Sequence, residues 1–204
     1  TGPFCNVSVL NSLFKYNRAN EGGVAYIGSQ SNVSFTRCVF HANGAKNKAG
    51  VLYVKSHGIA TIHYCNLSLN YVSDSTSYDD DDYTLKGYGG VLALESLTTV
   101  AVEDSLFVNN TAGSGGCAYL PSGDVRFTFT RCMFRTNVAK DYGGVVYRGY
   151  SSTSVQTVIL QNSAFFNNEA GKDGGAVYFQ DTRYLRVVNC IFQHNEANRK
   201  GGAI

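Results

Sequence analysis

Phe-x-x-Asn recurs from one end of this 204-residue chain to the other, and a motif repeated at fixed spacing constrains a fold more tightly than composition does. The pairs are Phe14/Asn17, Phe40/Asn43, Phe107/Asn110, Phe134/Asn137, Phe165/Asn168 and Phe192/Asn195, with Leu67/Asn70 a degenerate member. Successive offsets of 26, 27, 40, 27, 31 and 27 residues set a base period near 27, with insertions in two units. Two positions after each Asn an Ala recurs, from Ala19 to Ala197, with Val72 in the third unit. A glycine pair follows, as in Gly22-Gly23, Gly115-Gly116 and Gly201-Gly202, with Ala49-Gly50 in the second unit, and then a short apolar run such as Val145-Val146-Tyr147.

Upstream of each Phe the hydrophobic period is 2. Val7/Val9, Val33/Phe35, Ala60/Ile62, Val100/Val102, Phe127/Phe129, Val158/Leu160 and Leu185/Val187 stand seven and five residues before the Phe-type position. Alternating β-branched and aromatic residues between Gly- and Asn-rich turns are a strand signal. The parity then slips, because the next regular small position, Ser12, Cys38, Cys65, Ser105, Cys132, Ser163 or Cys190, lies two before the Phe. Such a slip is a bend, so each unit reads as two or three short strands joined by tight corners. One unit cannot bury its own apolar face, whereas stacked copies bury a continuous core. Strands of successive units then pair in parallel at about 4.8 Å per rung. Phe stacks on Phe, and each Asn amide donates to the Asn of the next rung. The expected fold is all-β: a single-stranded parallel β-helix of about seven coils of ~27 residues, occupying 1–204, with insertions near 73–88 and 149–154.

Composition agrees. The 22 Gly, 14 Tyr, 12 Phe and 6 Cys against 2 Pro, 1 Met and no Trp are what copying one pattern produces. A net charge of +2 from 17 basic and 15 acidic residues leaves no basic footprint for nucleic acid. No apolar run approaches the ~20 residues of a spanning helix, so no direct membrane insertion is expected in this segment. The chain starts at Thr1 and stops at Ile204 just inside a strand pattern, and no polar cap is evident. It therefore reads as an uncapped segment of a longer solenoid, or as a unit meeting neighbouring copies end to end.

Phe-x-x-Asn joined to Gly-Gly-Ala/Val-Ile/Val/Leu, as in Phe192, Asn195 and Gly201-Gly202-Ala203-Ile204, resembles the repeat of the chlamydial polymorphic outer-membrane proteins. The resemblance covers essentially the whole chain. It implies a right-handed parallel β-helix at a cell surface, commonly an adhesin or surface-coat component, and brings no catalytic residues with it.

In solenoids, specificity tends to reside in insertions. The larger one holds Asp79, Asp80, Asp81 and Asp82 between Tyr78 and Tyr83. Clustered carboxylates suit a loose Ca²⁺ site, but the spacing fits no known Ca²⁺ loop, and a solvated acidic loop is the favoured reading. Sulfation of Tyr83 belongs to a eukaryotic secretory route. Apart from that Ca²⁺, no cofactor is expected. Cys38, Cys65, Cys132 and Cys190 share the small-residue column with three serines. Cys132 and Cys190 are two rungs apart, about 9.6 Å, beyond the ~7 Å reach of a disulfide. Only Cys38 and Cys65 are near enough to pair, and a file of buried thiols acting as small hydrophobes is favoured over that bridge. Cys5 and Cys117 fall outside the column. Sequons at Asn6, Asn32, Asn66 and Asn109 all belong to outward positions, and carry glycan only in a eukaryotic host.

A catalytic reading has to come from residues, not fold. The best stacked constellation is His63 beside Glu103 on the adjacent rung and Asp104 beside Arg131, with Arg37 a rung away. Glu103 or Asp104 would serve as acid or base with Arg131 polarising substrate. A row of solvated charges is the simpler explanation. Tyr64 and the regular Tyr26, Tyr53, Tyr119, Tyr147 and Tyr178 offer a sugar-stacking stripe, or structural packing. The leading expectation is a non-enzymatic extracellular shaft, structural or adhesive, within a larger cell-surface protein. Its partners would be other segments of the same protein and host or cell-surface proteins or glycans. An extracellular filament subunit and a carbohydrate-active lyase or hydrolase are the alternatives.

Overall fold

The computed structural model describes residues 4–73, 87–121, 123–149, 156–180 and 184–204. Among these residues every regular element is a strand, and all the strand pairs are parallel. One coil shows the plan. Asn32–Thr36, Val39–His41, Gly44–Lys48 and Leu52–Val54 run around four sides, and each pairs with its counterpart in the coils before and after. The first three sheets hold seven strands in chain order and the fourth holds six. The solenoid is therefore six complete coils plus a seventh made of Tyr184–Val188, Ile191–Gln193 and Glu196–Ala197.

Four strands per coil, not two or three, is a correction with a clear cause. The third-side strands shrink to two residues, as in Val138–Ala139 and Glu169–Ala170, too short for any alternation to register. Six complete coils and a partial seventh agree with the expected count of about seven.

Register is as the period requires. Val33 pairs with Ala60 and Phe35 with Ile62 on the first sheet, and Phe107 pairs with Phe134, then Phe165, then Phe192 on the second. Rings stack at 4.8, 4.7 and 4.5 Å between centroids along that run. Leu67 interrupts the file between Phe40 and Phe107, all three fully buried. One continuous core links the inward residues of the first, second and fourth sheets, and a small satellite of Ala45, Val72 and Ala112 underlies the third.

Asparagine does more than stack. Asn110 Nδ2 donates to Asn137 Oδ1 at 2.9 Å and to the Leu67 carbonyl at 2.9 Å, and the Asn110 N–H donates to the same Oδ1 at 3.0 Å. The pattern repeats from Asn17 through Asn43, Asn70, Asn110, Asn137 and Asn168 to Asn195. Both amide hydrogens and both carbonyl lone pairs are used along the interior of the column, which is why Asn43, Asn70, Asn110, Asn137 and Asn168 are tolerated fully buried. At the glycine pair, Gly115 takes φ +66°, and a Cβ on Gly116 would sit 2.1 Å from the Gly144 carbonyl oxygen, so backbone passes backbone there. Ala49 takes the same turn at φ +57° in the second coil.

The larger insertion is narrower than 73–88. Ser73 N–H still donates to the Ala45 carbonyl, and Tyr88 bridges Lys48 and Ser114 on the neighbouring coils. Asp79, Asp80, Asp81 and Asp82, with Tyr78 and Tyr83, lie outside the described residues, as does most of the smaller insertion.

Candidate functional site

The corner between the first and second sheets is one left-handed residue per coil, followed by the small-residue column. Its occupants are Asn11, Arg37, Tyr64, Asp104, Arg131, Asn162 and Asn189, with φ between 47° and 54°. Asn suits this conformation because its short polar side chain is tolerated there. Coils 2 to 5 instead place Arg37, Tyr64, Asp104 and Arg131 at the bend, and those four form the wall of a surface groove of about 620 Å³. Its floor is the outward column of the second sheet: Val39, Asn66, Leu106 and Met133.

The structure brings together the constellation expected from sequence. Glu103 pairs with His63 in register. Asp104 accepts from Arg131 Nε at 2.7 Å and Nη2 at 2.8 Å, while His63 Nε2 lies 3.0 Å from Asp104 Oδ2. Arg131 Nη2 also donates to Glu103 at 3.1 Å. The Arg131 guanidinium, aided by His63, holds the Asp104 carboxyl down at about 2, and Asp104 in turn raises Arg131. The His63 ring lies against Tyr64, centroids 4.1 Å apart and 24° between planes. Arg37 sits 5.9 Å from the centre of the Tyr64 ring.

This geometry limits the chemistry. An acid catalyst must hold its proton near working pH, and Asp104 does not. His63, Glu103 and Asp104 are the one group of three metal-type ligands among the described residues. Arg131 already spans both carboxylates, however, so a cation would first have to displace a bidentate guanidinium.

The cysteines of the small-residue column are free thiols, with Cys38, Cys65 and Cys132 buried in the core, and they also form hydrogen bonds. Cys65 Sγ accepts the Cys38 N–H at 3.4 Å and donates to the His63 carbonyl at 3.3 Å. Ser105 Oγ accepts the Cys65 N–H at 3.0 Å and donates to the Glu103 carbonyl at 2.7 Å. Thiol and hydroxyl do the same work at successive corners, which explains their interchange. Cys38 and Cys65 carry separate thiols, so the bridge considered for them is not formed. Burial pushes Cys65 up to about 11 and Cys132 up to about 12. Cys117 stands where Val91 and Val145 stand in the adjacent coils, fully buried in the core.

On the fourth sheet the tyrosine column is broken: Tyr53 pairs with Ala93, and Ala93 with Tyr119. Tyr88 and Tyr142, which sequence reasoning missed, flank the file from the corner before the glycine pair. Tyr88 meets Tyr119 at 4.6 Å, and Tyr142 meets Tyr178 at 4.9 Å with Lys172 and Arg199 over its ring. Glu95, also missed, accepts from the Tyr53 hydroxyl at 2.8 Å, from Ser56, and from Lys55 at 2.8 Å. Burial alone would raise its carboxyl, but those hydrogen bonds outweigh it and hold it at about 2. The fourth-sheet tyrosines pack against one another along the shaft, Tyr53 buried and Tyr26 exposed at the end of the file. All four sequon asparagines are exposed, and Asn66 faces into the groove.

The fold defines a class: a parallel β-solenoid whose body is built by the repeat. Within that class, one stretch of the chain is similar to a known repeat. Residues 162–180, which carry Asn162, Phe165, Asn168 and Gly174-Gly175, match the family model of the Chlamydia polymorphic membrane protein (Chlamydia_PMP) repeat. The chain is 31% identical over 132 residues to the probable autotransporter YfaL of Escherichia coli (strain K12), covering 57% of this chain and 11% of that protein. It is also 23% and 25% identical to metabotropic glutamate receptor-like proteins R and Q of Dictyostelium discoideum, over 94% and 90% of this chain. The chain thus spans 11% to 14% of the length of these relatives. No solved structure matches it.

Proposed function

We propose that this chain is a surface-displayed segment of a larger protein, a non-enzymatic shaft that holds a contact site away from the cell. The observation that carries the reading is the unbroken amide ladder from Asn17 to Asn195. A ladder satisfied at every rung makes a rigid rod whose length grows with copy number. The relatives' names, an autotransporter and receptor-like proteins, support display at the cell surface. Its nearest partners are further coils of the same protein, stacked on the edge strands Asn6–Leu10 and Tyr184–Val188. The absence of catalysis is supported by Glu103 and Asp104 sharing one guanidinium.

Antibody raised against the folded segment should label intact cells of the source organism before permeabilisation. Labelling only after permeabilisation would overturn surface display. Turnover of any polysaccharide, lost on Asp104→Asn, would overturn the non-enzymatic reading.

A further inference from the structure

We propose that the corner groove over coils 2 to 5 binds an acidic polysaccharide strand lying along the shaft. This rests on the surface-display reading and names the ligand class of its contact site.

Three observations converge. First, the groove's backbone is spent. The N–H groups of Arg37, Tyr64, Asp104 and Arg131 donate to carbonyls of the following coil, so no sheet edge is open there for a peptide strand to extend. Recognition must run through side chains. Second, those side chains suit a sugar. Tyr64 is 53% exposed and steadied by His63, giving an apolar plate for a pyranose face. Asn66, Asp104 and Arg131 supply planar donors and acceptors for adjacent hydroxyls. Third, the charge is asymmetric. The lining holds two guanidiniums and one carboxylate. Arg131 is committed to Asp104 and Glu103, whereas Arg37 has no carboxylate partner among the described residues. Its fork is available to a ligand carboxylate.

Arg37, Tyr64, Asp104 and Arg131 belong to successive coils, so the contacts repeat at about 4.8 Å along the axis. An extended glycan, which advances by about one sugar per rung, presents its groups in the same order. Arg37 takes a uronate carboxylate, Tyr64 stacks beneath the next ring, and Asp104 with Arg131 receives the hydroxyls beyond.

The test is calorimetric titration of the full 204-residue chain with a size-defined oligogalacturonate, its methyl-esterified form and a neutral oligosaccharide of the same length. The expected result is binding of the acidic form, weakened roughly tenfold or more by esterification and by Arg37→Gln, the loss of one charge-assisted pair. Tyr64→Ala should weaken the acidic form similarly, and Arg186→Gln, exposed on another face, should leave it unchanged. In the unmutated chain the ligand should shift the Tyr64 ring resonances and not those of Tyr178, a readout independent of variant folding. No saturable binding of the acidic form, or binding indifferent to Arg37 and Tyr64, would overturn the proposal. Surface labelling would then still stand or fall separately.

Discussion

Asn110 Oδ1 receives two hydrogens from Asn70, one from its backbone N–H at 3.0 Å and one from its side-chain Nδ2 at 3.1 Å. Asn110 Nδ2 in turn caps the Leu67 carbonyl. Replacing Asn110 by Ala strands the Asn70 donors and that carbonyl in a site without solvent. Each buried unsatisfied group costs about 1–3 kcal/mol, so Asn110→Ala should lose at least about 3 kcal/mol in urea unfolding. A loss under about 1 kcal/mol would mean the ladder is not a principal support of the fold.

The repeat period alone makes the Phe and Asn columns legible, because stacked coils force equal positions into equal environments. It also brings His63 to Glu103 and Asp104 to Arg131 once the 40-residue offset is treated as a coil plus an insertion. Other features need the fold. Tyr88 and Tyr142 sit in a column otherwise filled by Glu21, Lys48, Ser114, Asp173 and Lys200, so no residue pattern marks them as neighbours of the tyrosine file. The cysteine column shows its size in the sequence, but its hydrogen-bonding role depends on where the bend points the N–H of the preceding coil. Arg148 is legible only as a disruption: it fills an inward position held by Leu120 in the coil before, is fully buried, and donates to the Gln180 carbonyl.

Because Cys65 and Ser105 perform the same corner bonding, Cys65→Ser should change stability by less than about 1 kcal/mol. Cys65→Val, which keeps volume but removes the acceptor of the Cys38 N–H, should cost about 1–3 kcal/mol. Equal effects of Ser and Val on the thermal midpoint would contradict the hydrogen-bonding role.

The buried thiols also set an alkaline limit. Their folded pKa lies above the unfolded value, so their contribution is fully present below about pH 8.5 and is lost as pH rises through the folded values. Those values are about 11 for Cys65 and about 12 for Cys132. Stability should therefore fall progressively above about pH 8.5, less so in Cys65→Ser/Cys132→Ser. An unchanged slope in the double variant would contradict burial of these thiols as its source.

At the acid end Asp104 behaves oppositely. Its folded carboxyl titrates at about 2 beside Arg131. Its stabilisation is present above the ordinary aspartate value of about 3.9 and is lost as pH falls toward the folded value. Carboxyl-detected NMR should place Asp104 well below the ordinary aspartate value, and Arg131→Gln should return it toward about 3.9. An Asp104 titration that ignores Arg131→Gln would show that the pair is not maintained in solution.

Asn66 lies in the groove and within a sequon, so a glycan there and a ligand strand exclude one another. Chain made in a glycosylating host with Asn66 occupied should not bind the oligogalacturonate, and Asn66→Gln from the same host should bind it. Full binding by the occupied form would place the ligand elsewhere on the shaft.

The amide ladder and the corner groove both depend on coils stacking in register, and a distance ruler tests that directly. Lys15, Arg135 and Gln193 occupy one outward column of the second sheet, in coils 1, 5 and 7. Spin labels introduced pairwise at these sites should give separations growing with coil number, about 19 Å for Lys15 to Arg135 and about 29 Å for Lys15 to Gln193. Separations that fail to scale with the number of intervening coils would contradict the solenoid and the groove built on it.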